Sequence, residues 1–169
     1  MKYLDQEQKL IIKILIVIVS IACIILLIIN ANIKNIKKGQ FIIPEMEQNV
    51  VEGKPTDIPK EYMYQEAKVN DDYIVYLCAI PTFKDNKLTL YFTSSEVNKG
   101  LIKIKILDSQ KNIIGESGLI NPNSYIKDIE LSKDLDDKEM ITIKVMNYEK
   151  ETYYSLGSIR LTVPVRRID

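Results

Sequence analysis

Leu101-Ile102-Lys103-Ile104-Lys105-Ile106-Leu107 alternates with a period of two: Ile102, Ile104 and Ile106 fall on one side, Lys103 and Lys105 on the other. Only an extended strand keeps every second side chain on one face; a helix would scatter these isoleucines around its axis. The stretch therefore reads as a β-strand with one face in a core and the other in water. Asn98-Lys99-Gly100 before it carries turn chemistry, and Asp108 to Asn112 after it reads as a hairpin-like loop.

The same period recurs on both sides. Upstream, Leu88, Leu90 and Phe92 alternate with Thr89, Tyr91 and Thr93 after a turn at Asp85-Asn86. Before them, Tyr73 to Ile80 is an apolar run short enough for a buried strand, ended by Pro81. Downstream, Ile113 to Ile120 runs back with Gly115 and Gly118 placed for a bulge or tight bend, and Asn121-Pro122-Asn123-Ser124 turns the chain into Tyr125 to Leu131. Ile141, Ile143 and Val145 then alternate with Thr142 and Lys144, and Ile159, Leu161, Val163 and Val165 with Arg160, Thr162 and Pro164. Seven short strands in roughly 95 residues predict an immunoglobulin-like antiparallel β-sandwich over 71–169. Pro164 has no N–H for a ladder, which places the last strand on an edge.

The second organising feature is Leu10 to Ile29, apolar except for Lys13 and Ser20. Twenty helical residues rise about 30 Å, the thickness of a bilayer's hydrocarbon core. Three readings compete for such a run: cleaved signal peptide, lipoprotein signal and retained anchor. The run exceeds an ordinary signal core, and Asn30-Ala31-Asn32 is the nearest approach to a cleavage site. Ser20-Ile21-Ala22-Cys23 departs from a lipobox, which carries an apolar residue where Ser20 stands. A retained signal anchor is preferred. No Glu lies between Lys9 and Lys38, which removes a type IV pilin helix. Lys2, Lys9 and Lys13 on one side balance Lys34, Lys37 and Lys38 on the other, so orientation follows from the short N-terminal tail, expected to stay in the cytoplasm.

The expected organisation is a cytoplasmic tail over 1–9, a transmembrane helix over 10–33, a juxtamembrane stalk over 34–70 and an extracytoplasmic sandwich over 71–169. The stalk rests on Pro44, Pro55 and Pro59 and on six acids that interrupt any periodic pattern. Lys60 to Val69 could add a helical turn or edge strand, with a tyrosine-flecked linker preferred. The whole chain balances 23 basic against 23 acidic residues, and 71–169 carries fourteen against fifteen. That near-neutral count argues against a basic face and against nucleic acid as a partner. Lysine outnumbers arginine 20 to 3, the mark of an AT-rich coding sequence and hence of a bacterium.

Ile80-Pro81, Leu88-Thr89-Leu90-Tyr91, Ile113 to Ile120, Asn121-Pro122-Asn123-Ser124-Tyr125-Ile126 and Ile129-Glu130-Leu131 together resemble a family of uncharacterised bacterial proteins with an N-terminal anchor, a linker and a small β-sandwich. Asn123 stands where that pattern has glycine, a tolerable exchange because asparagine also adopts positive φ. The resemblance covers about residues 80–165. It implies a fold and carries over no catalytic or binding residue.

The chain has no histidine, which excludes histidine-based triads and zinc sites, and its scattered glycines form no phosphate loop. Cys23 lies in the apolar run and Cys78 inside a strand, where a core role is expected. Asp71-Asp72 and Asp136-Asp137 read as solvated turns rather than acid/base pairs, and Asp134, Asp136 and Asp137 lack the spacing of a calcium loop. Expected catalytic, cofactor and metal residues are therefore none. Tyr148, Tyr153 and Tyr154, in the loop between the last two strands, are the candidate partner-binding residues. The expected function is non-catalytic: a membrane-anchored binding or structural protein of the bacterial envelope, held in the bilayer through Leu10–Ile29 and engaging an unknown envelope protein. The alternatives are an accessory subunit of a secretion or conjugation assembly, for which Ser20, Ala22 and Cys23 would pack against partner helices, and a carbohydrate-binding module.

Overall fold

The computed structural model describes residues 6–35, 42–70 and 73–168, and the chain divides into two compact units at Ile42/Ile43. In the first unit, α1 (Gln6–Asn35) is a continuous helix of 30 residues that contains the whole apolar run. The Ser20 hydroxyl donates to the Ile16 carbonyl at 2.8 Å, so this polar group is satisfied within the helix. From Leu10 to Leu26 every side chain is exposed, on all sides of the axis. Over the residues whose side chains are described, no helix is long and apolar enough to cross a membrane; the sequence carries the run on to Ile29. The N-terminal tail as far as residue 5 lies outside the described residues.

In the second unit the chain forms β1 (Val51–Glu52), β2 (Tyr64–Asn70), β3 (Tyr73–Cys78), β4 (Thr82–Lys84), β5 (Lys87–Ser94), β6 (Leu101–Leu107), β7 (Ile113–Glu116), β8 (Ser124–Glu130), β9 (Met140–Tyr148), β10 (Ser155–Pro164) and β11 (Arg166–Arg167). One sheet runs β1-β8-β5-β3-β2, with β4 beside β5 and β11 beside β4; the other runs β10-β9-β6-β7. All pairings between strands are antiparallel except β11 with β4. Successive strands change sheet at β5–β6, β7–β8, β8–β9 and β10–β11, so the core closes between the sheets. Val75, Leu90 and Phe92 from the first meet Ile104, Ile106, Ile143 and Val145 from the second in one buried cluster. Burial follows the period-two pattern: β6 buries its isoleucines and leaves its lysines half-exposed.

All seven strands expected from alternation are present, and β10 is a sheet edge ending at Pro164. Asp85 and Asn86 have φ of +49° and +59° and link β4 to β5 as a tight two-residue hairpin. Asn123 takes the positive φ, +55°, that its position in the turn demands. Cys78 is fully buried, and burial pushes its thiol up to about 12, far from a reactive thiolate.

The expected stalk is corrected. From Ile43 onward its residues belong to the sandwich unit rather than to a linker. Met46 bridges Leu119, with Glu47 N–H donating to the Leu119 carbonyl at 2.9 Å and Leu119 N–H to the Glu45 carbonyl at 2.8 Å. Val51 and Glu52 pair with β8, Lys60–Tyr62 makes one 3₁₀ turn, and β2 adds a whole edge strand against β3. Short polar segments of this kind take their structure from the edges they dock on, a signal that local periodicity lacks. The run from 113 to 120 is likewise broken: β7 stops at Glu116, and Gly118 lets the 45–47 segment cross directly over it. A Cβ there would lie 2.6 Å from Glu47 N.

Gly100 answers to a similar constraint. A Cβ at this position would stand 2.3 Å from both the Tyr148 carbonyl oxygen and the Tyr73 hydroxyl. The Tyr148 oxygen is backbone and cannot swing aside. Gly100→Ala is expected to destabilise the unit by about 1–3 kcal/mol in chemical denaturation; an unchanged midpoint would contradict the close approach.

Candidate functional site

The alternation that buries Ile102, Ile104 and Ile106 turns Lys103 and Lys105 outward, and the same holds for Thr142 and Lys144 in β9 and for Arg160 and Thr162 in β10. Register then decides which of these become neighbours. Lys105 stands opposite Lys144, and Lys144 opposite Arg160, so three cations line up across three strands. Thr142 stands between Leu107 and Thr162, its hydroxyl 3.4 Å from that of Thr162. A depression of about 370 Å³ on this face is lined by Leu107, Lys111, Thr142 and Arg160.

Like charges directly opposite one another on a sheet are unfavourable unless something offsets them. On the β7 side the offset is Glu116, whose carboxylate reaches Lys103 at 3.2 Å and Lys105 at 3.4 Å. Burial opposes its charge, but hydrogen bonds and the two ammonium groups outweigh burial and hold its carboxyl below the ordinary glutamate value. On the β10 side, among the described residues, no carboxylate pairs with Lys144 or Arg160. The near-neutral count of 71–169 thus leaves room for a local row of cations, which the sheet register assembles.

The tyrosines named from the sequence do not converge into a site. Tyr148 ends β9 half-buried, with its hydroxyl turned to the Met146 sulfur at 3.7 Å. Tyr153 takes φ of +58° while its N–H donates to the Glu149 carbonyl, and Tyr154 stands 72% exposed. No ring pair forms among the three in the described residues. The nearby depression of about 380 Å³ is lined instead by Lys99, Gly100, Glu149, Lys150, Glu151 and Leu156.

Tyrosines do gather elsewhere, around β2, β3 and β5 on the first sheet. Tyr62 meets Tyr91 edge to face at 5.8 Å, and Tyr64 stacks on Tyr76 at 5.9 Å. Cations lie against three of these rings: Arg166 on Tyr62, Lys54 on Tyr76 and Lys127 on Tyr91. The Tyr64 hydroxyl donates to Thr93 Oγ1 at 2.6 Å, and burial pushes its pKa up to about 12 despite that bond. These rings are already in contact with one another or with cations, so this surface is internally satisfied cation–π packing rather than an open stacking platform. Tyr62 and Tyr64 sat in the expected linker, so nothing local signalled that they would meet Tyr76 and Tyr91.

The Asp134 and Asp137 carboxylates of the acidic turn are engaged within the fold. Asp134 pairs with Arg167 at 3.0 Å, Asp137 accepts the Arg167 N–H, and the Asp136 N–H is bound by Glu139. Lys133 joins Glu139 at 3.0 Å and the buried Asp108 at 3.8 Å. Among the described residues no group of three ligands is placed for a metal ion. Asp71 and Asp72 lie outside the described residues.

Because Glu116 has a depressed pKa in the fold, its contribution to stability is present above the unfolded value near 4.5 and is lost as pH falls through the folded pKa. Glu116→Gln should therefore be less stable than the parent at neutral pH, and the difference should close on the acid side of 4.5 in melts taken across pH. A difference that persists unchanged into acid would mean that the lysine pairing contributes nothing. No protein-family model matches this chain, and no curated protein does either.

Proposed function

We propose that this chain is a single-pass, membrane-anchored binding protein of the bacterial cell envelope, with a cytoplasmic N-terminus and a non-catalytic, extracytoplasmic immunoglobulin-like sandwich. The observation that carries the reading is α1, in which the run Leu10–Ile29 lies within one unbroken helix and exposes apolar side chains all around its described part. A helix that is apolar on every side has no stable place in water and needs lipid or protein around it. Lys2, Lys9, Lys34, Lys37 and Lys38 flank the run, as suits anionic headgroups at its ends.

Strand order supports the immunoglobulin-like assignment. β3-β5-β8 matches the order A-B-E and β10-β9-β6-β7 matches G-F-C-C′, while β1, which precedes β3 in the chain, takes the place beside β8 that D holds in that order. Such sandwiches present loops, faces and edges to partners, and the cation row of the second sheet gives this one a charged face. The family resemblance in the turns around Asn121–Ser124 agrees with an anchored sandwich.

Two measurements test the reading. The full chain should stay with membranes through alkaline carbonate extraction, and deletion of Leu10–Ile29 should release it to the soluble fraction; release of the intact chain would overturn the anchor. For sidedness, Lys150→Cys places a thiol in the exposed β9–β10 loop while Cys78 stays buried. An impermeant maleimide should label it on intact cells, and labelling only after lysis would reverse the orientation.

A further inference from the structure

We infer that the free edge of β10 is a docking site for an extended, acidic segment of a partner protein, which adds as a further strand to the four-stranded sheet. The inference deepens the binding role proposed above and rests on it for the protein's being a binder.

The edges of the two sheets are unequal. β1 has two residues and β7 four, while β2 carries exposed Glu66 and Lys68 along its length. Short strands and charges of this kind protect edges from pairing with other chains. β10 is different: it has ten residues, ends its sheet, and holds Arg160 as its single charge. Its one bulge lies near its start, at Ser155/Gly157, and Pro164 is its last residue. From Ser158 to Val163 the strand runs in regular register with β9 and has backbone groups to offer on the other side.

The side chains specify what would be accepted. Ile159, Leu161 and Val163 pack against the core, so an added strand needs apolar residues at the matching alternate positions. On the opposite face Arg160 continues the Lys105–Lys144 row, and Lys144 and Arg160 lack carboxylate partners among the described residues. Acidic residues at the remaining alternate positions would offset this charge across the strand pair. A second copy of the chain fits worse. Pairing β10 with β10 would bring a second Lys105–Lys144–Arg160 row onto the same sheet, adding like charge to like.

The test uses the full chain in neutral detergent micelles and three synthetic decapeptides. One alternates Glu with Val, one alternates Lys with Val, and the third is the acidic peptide with alternate backbone amides methylated. The acidic peptide should bind at least about tenfold more tightly than the basic one, weaken as salt rises, and slow amide exchange along Ser158–Val163. Backbone methylation should abolish binding, because it removes ladder donors while leaving charge intact. Lys144→Glu with Arg160→Glu, on the exposed face and away from the core, should reverse the preference toward the basic peptide, with circular dichroism reporting that the fold is kept. Equal binding of acidic and basic peptides would overturn the inference. So would acidic binding that survives methylation, which would mark a charged face without edge pairing. Peptide-free dimerisation that protects the same amides would overturn it in favour of a second copy. Carbonate extraction is read independently: a chain that binds the acidic peptide but leaves the membrane would sink the anchor and keep the edge.

Discussion

Cross-strand register in β6, β9 and β10 builds the core and the charged face together. It sets Ile104 opposite Val145 and Val145 opposite Ile159, which joins the inward side chains of three strands into one wall of the core. The same register sets Lys105 opposite Lys144 opposite Arg160 on the outer face. Core and charged face are therefore two sides of one arrangement. A slip of one residue would exchange them, putting ammonium groups into the core at a cost no sandwich of this size could absorb. The repulsion within the cation row is accordingly held in place by the burial behind it.

Around this wall, polar groups tie down segments that lack hydrophobic periodicity. Asn98, itself buried, accepts from the Ile74 N–H at 2.9 Å and donates to the Ile74 carbonyl at 2.8 Å, doing for β3 what a neighbouring strand would do. The Ser117 hydroxyl accepts from the Ile104 N–H, holding β6 after β7 has ended. Glu47 reaches the Gly118 N–H at 2.7 Å and so fastens the segment that enters the sandwich unit. Each of these bonds satisfies a backbone group at a place where no regular strand pairing supplies a partner.

Tyrosine and charge show how far a functional reading can be carried from residue types. The loop tyrosines 148, 153 and 154 make no ring pair with one another among the described residues, and the backbones of Tyr153 and Tyr154 help close the β9–β10 turn. Tyr62, Tyr64, Tyr76 and Tyr91, spread over thirty positions of sequence, are the ones that associate. Charge counting has the same limit. A neutral sum says nothing about sign on each face, because sign is distributed by pairing between distant strands.

The residue pattern alone specifies the strands, since alternation of Ile with Lys, or of Leu and Phe with Thr, admits only an extended chain with one dry face. It also determined the turns at Asp85-Asn86 and at Asn123, whose side chains tolerate positive φ, and the continuous apolar helix ahead of the sandwich. The three-dimensional fold alone brings residues 43–70 into the sandwich unit, sets Gly100 and Gly118 tight against neighbouring backbone, and makes neighbours of cations from three strands. Those outcomes depend on which edges meet. Pairing between separate strands follows from the packing of the whole core rather than from any local pattern.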